Sequence, residues 1–102
     1  MNPPPLTSEQ RREALAKAAA VRKYRAEIKA DLSDRRVTIA ELLERTDDPR
    51  VGGMKVSAVL SSLPGIGKKR TQQLMARVGI LENRRLRGLG YRQREALIKE
   101  LS

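Results

Sequence analysis

The residues with the clearest chemical potential are Leu63-Pro64-Gly65-Ile66-Gly67-Lys68-Lys69-Arg70. Two glycines one residue apart close an apolar segment, and three cations open the next one. Glycine tolerates positive φ and lets another group come close to the backbone. The first-turn amides of a helix lack internal partners and carry partial positive charge. A Gly-x-Gly turn feeding a helix start is therefore suited to receive an anion such as phosphate. Lys68, Lys69 and Arg70 at that start oppose the helix dipole, a local conflict that an anionic ligand relieves. A plain tight turn between helices is the competing reading of the two glycines alone. The pattern is too short for a P-loop, which needs four residues between its glycines and a preceding strand.

Two further cationic groups accompany the hairpin. Arg84, Arg85 and Arg87 fall between Gly79 and Gly90. In a mobile connector they could enter a narrow minor groove or fork onto phosphates without supporting the core. A solvated charge cluster is the alternative. Arg11, Arg22, Arg25 and Lys29 form a stripe along a long N-terminal helical segment, beside an apolar stripe of Ala14, Val21, Ile28 and Leu32. Glu9, Glu13, Glu27 and Asp31 fall on the opposite side, and Glu9–Glu13 and Glu27–Asp31 are like-charged at i,i+4. This sorting suits a second phosphate-facing surface. Accidental sorting on a solvated helix explains it equally well.

Other chemistries find little support. The 102 residues contain no His and no Cys, which removes the usual general base, proton shuttle and thiolate ligand. No paired carboxylates lie near the glycines, and Ser57, Ser61 and Ser62 read as ordinary helix-face residues. Catalysis, a metal site and a cofactor are not expected. Tyr24 and Tyr91 are the only aromatic residues, too few for base stacking on single strands. Backbone binding to a duplex is what remains.

The charge balance agrees. Of a net +10, residues 1–51 carry 11 Lys/Arg against 9 Asp/Glu, whereas residues 52–102 carry 11 against 3. The cationic excess coincides with the glycine hairpin, and a strongly basic domain of this size most often meets nucleic acid. Solubility or an acidic protein partner are the bland alternatives. No apolar run approaches the roughly 18 residues of a membrane span, and the N-terminus lacks the basic-then-apolar order of a signal peptide. The expectation is a cytoplasmic protein without membrane contact, monomeric for want of an apolar heptad run.

The elements that must position these groups read as all-α, with about five helices. Residues 1–6 form an extended or disordered lead-in. Thr7-Ser8-Glu9-Gln10 is a capping box opening a helix to about Leu32. Thr38-Ile39-Ala40-Glu41 opens a short second helix, stopped by Asp47-Asp48-Pro49, and Arg50-Val51-Gly52-Gly53 reads as a flexible joint. Further helices follow at about 55–63, 68–78 and 91–101, with Gly79 as the C′ residue of the middle one. Residues 7–53 and 54–102 are thus expected to form two units.

From Met54-Lys55-Val56-Ser57-Ala58 through LPGIGKKRTQQLMARVGI to RRLRGLG, the chain resembles the actinobacterial type of integration host factor, a family of small nucleoid-associated proteins. It is not the β-ribbon DNA-bending protein of the same name. The resemblance covers nearly the whole chain and is most specific over residues 54–90. It implies a helix-two-turns-helix fold, sequence-tolerant binding of double-stranded DNA, bending or condensation of that DNA in the nucleoid, and support of phage integrase–DNA complexes. It places the phosphate-binding hairpin on Gly65, Ile66 and Gly67 with Lys68 and Arg70 following, and a second basic element on Arg84, Arg85 and Arg87. Thr71, where the family usually has Ala, is expected to open the hairpin packing slightly. Tyr91 stands where a small or polar residue is common. A small-subunit ribosomal protein shares the glycine hairpin, so a ribosomal-protein-like RNA-binding module is the alternative; that relative usually adds a basic C-terminal tail, which this sequence does not show. DNA-repair glycosylases share it too, but need an N-terminal Pro where this chain has Asn2.

Overall fold

The structure is a computed structural model and describes residues 4–102. Residues 1–3 of the expected lead-in lie outside the described residues; 4–6 are exposed and non-helical. Six α-helices and one 3₁₀ turn follow, with no strand among the described residues.

Helix α1 spans Ser8–Ser33. Thr7 caps it as its sequence predicts: its hydroxyl oxygen accepts from the Gln10 amide at 3.1 Å, and Gln10 Oε1 accepts from the Thr7 amide at 2.9 Å. Only the C-terminal part of α1 packs on the core, with Ile28 and Leu32 buried and Val21 half-buried. From Ser8 to Ala20 only Ala18 is even partly covered. The apolar stripe therefore does not reach the core at Ala14, which is exposed. This half of α1 stands free, and the radius of gyration of 16.0 Å exceeds the roughly 13 Å of a compact chain this long.

Helix α2 (Ile39–Leu43) is capped by Thr38, whose Oγ1 accepts from the Glu41 amide. The segment expected to be a flexible joint is instead a turn of helix, α3 (Pro49–Gly52). Asp48 caps it through the Arg50 amide, and Pro49 holds the first position, where its missing N–H costs nothing. The Arg50 guanidinium bonded to Asp48 holds that carboxyl below its usual range. The cap is thus intact at neutral pH and is lost as pH falls through the lowered value. Val51, Gly52 and Gly53 are buried, and a Cβ on Gly52 would collide with the Thr46 carbonyl oxygen. Glycine is here for close approach, not for motion.

Helices α4 (Val56–Ser61), α5 (Lys68–Val78) and α6 (Tyr91–Leu101) complete the bundle. Leu32, Leu42, Val51, Val56, Val59, Leu60, Leu86 and Leu97 are fully buried, and one continuous core joins all six helices. Each such side chain contributes about 1.5–3 kcal/mol of burial. The core crosses residue 53, joining both sequence halves. Gly79, at φ 80, ends α5, and its carbonyl accepts from Gln93 Nε2 at 3.0 Å. Gln93 Oε1 accepts from the Gly90 amide at 2.9 Å, so one side chain clips both ends of the α5–α6 connector.

That connector is not mobile. Lys55 and Arg85 form an antiparallel bridge, with Val56 N–H donating to Arg84 C=O at 3.0 Å and Leu86 N–H to Met54 C=O at 2.9 Å. Leu86 opens a 3₁₀ turn (Leu86–Gly88) and is fully buried, as Leu89 is nearly. No described helix is long and apolar enough to cross a membrane.

Candidate nucleic-acid interface

The hairpin is a turn with its chemistry built in. Ile66 N–H donates to Leu63 C=O at 3.2 Å, closing Leu63–Ile66 with Pro64 second and Gly65, at φ 75, third. That is the residue pattern of a type II turn, whose third position requires positive φ. Ile66 is half-buried against the core and anchors the tip. Gly67 then sits at φ −91 and ψ −175, extended backbone open to any residue, and nothing lies within 4 Å of where its Cβ would be. Its carbonyl accepts both the Thr71 amide at 3.0 Å and the Thr71 hydroxyl at 2.9 Å. Thr71 is buried, so it ties the helix start to the hairpin and does not open it.

The amides of α1, α2 and α3 meet side-chain oxygens of Thr7, Thr38 and Asp48. Those opening α5 meet none, because Gly67 has no side chain. Lys68, Lys69 and Arg70 are all exposed around this open end. An open helix start of this kind can receive an anion; the starts of α4 and α6 likewise have no side-chain cap bond.

From the start of α5 a series of shallow clefts leads to the other cations. Lys68 shares the first with Ser57, Ala58, Ser61, Gln72 and the acidic Glu82. Ala58 also lines the next cleft, together with Arg25, Lys29, Lys55 and Arg85. Arg85 in turn borders a third, with Leu81, Asn83, Arg84 and Arg87. Adjoining clefts thus link Lys68, at the start of α5, to the arginine connector and to Arg25 and Lys29 of α1; Pro64 and Ile66 of the hairpin line a separate cleft with Arg35 and Leu101. Arg11 and Arg22 are exposed on α1, Arg11 some 21 Å along the axis from Arg25.

Several of these cations already have structural duties that the sequence reading did not give them. Arg25 donates from Nε to Arg50 C=O at 2.8 Å and from Nη2 to Pro49 C=O at 3.3 Å, clamping α3 onto α1. Arg50 lies 3.8 Å over the Tyr24 ring in the same joint. Arg85 Nη1 donates to Gly53 C=O. Arg84 is half-buried, with its Nε unpartnered inside the protein, while Arg87 is exposed. The connector arginines are therefore not a unit separate from folding. Arg85→Ala should cost about 1 kcal/mol and lower Tm by roughly 4–8 °C, whereas Arg87→Ala should leave Tm unchanged. Thermal melting of the two single variants checks this, and equal melting temperatures would return Arg85 to a purely external role.

Lys55 joins these clefts although its spacing carried no motif; its position two residues after Gly53, at the start of α4, was the available signal. Arg94 is a second omission, a structural one. Tyr91 is 75% exposed, and a hydrogen bond to Glu95 pushes its hydroxyl pKa up, so it stays neutral. No cluster of three or more His, Cys, Asp or Glu that could hold a metal exists among the described residues.

A family model described as S13-like H2TH domain matches residues 32–101, taking in the end of α1 and all that follows. An integration host factor of Streptomyces coelicolor is 50% identical over 98 residues, which cover 95% of this chain and 92% of the relative. The chain belongs to the integration host factor family. Another member, from Mycobacterium tuberculosis, is 47% identical over 98 residues, with 95% and 93% of the two chains covered. A solved structure, of sIHF bound to an 8-bp palindromic DNA, matches with a TM-score of 0.82 at 46% identity, over 85% of this chain and 99% of that one. The family match reaches across the boundary expected at residue 53, in keeping with the shared core. The helix-two-turns-helix fold expected from the resemblance is the fold found.

Proposed function

We propose that this protein binds double-stranded DNA through its phosphate backbone and minor groove, with little base specificity, and bends or compacts it. The observation that carries this reading is the uncapped start of α5 at Gly67, open to an anion and linked through adjoining clefts from Lys68 to Arg87. The DNA-bound relative supports duplex DNA as the polyanion. Gly65, Ile66 and Gly67 shape the phosphate seat, and Lys68, Lys69 and Arg70 supply charge around it. Arg84, Arg85 and Arg87 form the minor-groove element, joined by Lys55 and Lys29. Nothing in this set resembles the Asn, Gln and Arg array of a base-reading helix. The protein acts as a binding module of the nucleoid, not as an enzyme, and works as a monomer in the cytoplasm. Phage integrase–DNA complexes are among the assemblies it would support.

Arg11, on the free half of α1, and Arg22, just beyond it, are a second contact for a neighbouring duplex segment. Competition with duplex DNA, duplex RNA and single strands of one sequence tests the reading. Duplex DNA should compete best, and preferred displacement by duplex RNA would favour the ribosomal-type module instead. In the same preparation, charge reversal at Arg11 and Arg22 should preserve short-duplex affinity but weaken condensation of long DNA, because two separated surfaces are needed to hold two segments. Normal condensation by that variant would remove the second contact.

A further inference from the structure

Among the described residues, four large apolar side chains stand exposed: Leu6, Leu15, Leu81 and Tyr91. A solitary exposed leucine is ordinary, so its setting decides whether it means anything. Leu6 and Leu15 lie before or within the free half of α1, and the Tyr91 hydroxyl is engaged by Glu95. Leu81 differs. It is 63% exposed and borders the cleft formed with Asn83, Arg84, Arg85, Arg87 and Gly88, so an apolar side chain lines the same cleft as three arginines.

Its backbone is also held on both sides. Ile80 before it is buried, with its N–H donating to Met75 C=O at 2.8 Å. The Leu81 carbonyl accepts from Arg84 N–H at 3.0 Å, closing a turn that the bridge between Lys55 and Arg85 and the buried Leu86 then pin to the core. Glu82, the next residue, borders the cleft that contains Lys68, so this turn adjoins the phosphate seat. A rigidly presented apolar side chain flanked by arginines has the form of a wedge that enters a base step and kinks a duplex. Arginines are favoured in the narrow minor groove around such a step.

We propose that Leu81 is an intercalating wedge, seated by Arg84, Arg85 and Arg87, that unstacks one base step from the minor-groove side. This rests on the DNA-binding reading and adds the residue that bends the duplex. It also implies a mild preference for pyrimidine–purine steps, which unstack most easily. Duplexes carrying 2-aminopurine at a central TA step, titrated with the full-length protein, test it, with anisotropy recorded alongside. The wild type should brighten the probe severalfold. Leu81→Ala should abolish the rise while Kd changes less than about threefold, and Leu81→Met should retain it. The side chain is exposed, so folding is spared. Binding without brightening, or undiminished brightening by Leu81→Ala, overturns the wedge alone. Absence of any duplex binding by the wild type overturns the DNA reading beneath it.

Discussion

Gly67→Asp should abolish duplex binding while making the protein more stable. The two effects share one cause. Gly67 is the N-cap of α5 in extended conformation, with open space where a Cβ would stand, so aspartate fits without strain. Aspartate is among the best N-cap residues, and its carboxylate would accept from the free first-turn amides, as Asp48 does for α3. The gain should be about 1 kcal/mol, or ~5 °C in Tm. That carboxylate then occupies the seat meant for phosphate and repels the incoming backbone. Affinity should fall at least about 100-fold, or 2.7 kcal/mol. Gly67→Ala, which fills space without charge, should bind more weakly than wild type but far better than Gly67→Asp. Calorimetry and anisotropy on the same samples check the pair. A Gly67→Asp variant that melts normally and binds like wild type would reduce the hairpin to a turn.

The largest loss of stability is expected at a residue outside the binding face. Arg94 Nε donates to Leu89 C=O at 3.1 Å, Nη1 to Leu43 C=O at 3.0 Å and to Thr46 Oγ1 at 3.2 Å, and Nη2 reaches Leu86 C=O at 3.5 Å. One guanidinium thus joins the end of α2, the 3₁₀ turn and α6. Its acceptors lie at the partly buried ends of those elements, where an unmade bond is costly. Charge-assisted bonds of this kind contribute about 1.5–3 kcal/mol each, not additively. Arg94→Ala should therefore lose about 3 kcal/mol and lower Tm by ~15 °C. Arg94→Lys should recover less than half, because an ammonium cannot span these acceptors as the planar fork does. A melting temperature within a few degrees of wild type would show that the network is ornamental.

The bounds of α5 and α6 are legible in the sequence because Gly67, Gly79 and Gly90 punctuate them, and the Thr7–Gln10 box marks the start of α1. The turn at Pro64-Gly65 is legible because each residue answers one backbone requirement. Asp48-Pro49-Arg50-Val51-Gly52-Gly53 misleads because Pro and Gly also mark loops. Here Pro49 is a first-turn residue under an aspartate cap, and only the buried Val51 and the nearby Thr46 carbonyl decide between the two. The helical wheel of α1 places Ala14 with Ile28 but carries no information about how far the core extends. The duties of Arg25, Arg85 and Arg94 are hidden for a further reason. Most of their carbonyl partners lie 24 to 51 residues away, beyond any periodicity. Charge identifies these arginines as cations; only the fold separates those that hold the structure from those left to meet a ligand.

Duplex affinity should reside in phosphate contacts made around the start of α5 and along the arginine connector. The most direct test is the salt dependence of duplex affinity for the full-length protein. If roughly six phosphates are neutralised, log K should fall against log salt with a slope of about −5, and it should do so alike for unrelated sequences. A shallow slope near zero, or a thousandfold preference for one sequence at fixed salt, would contradict it.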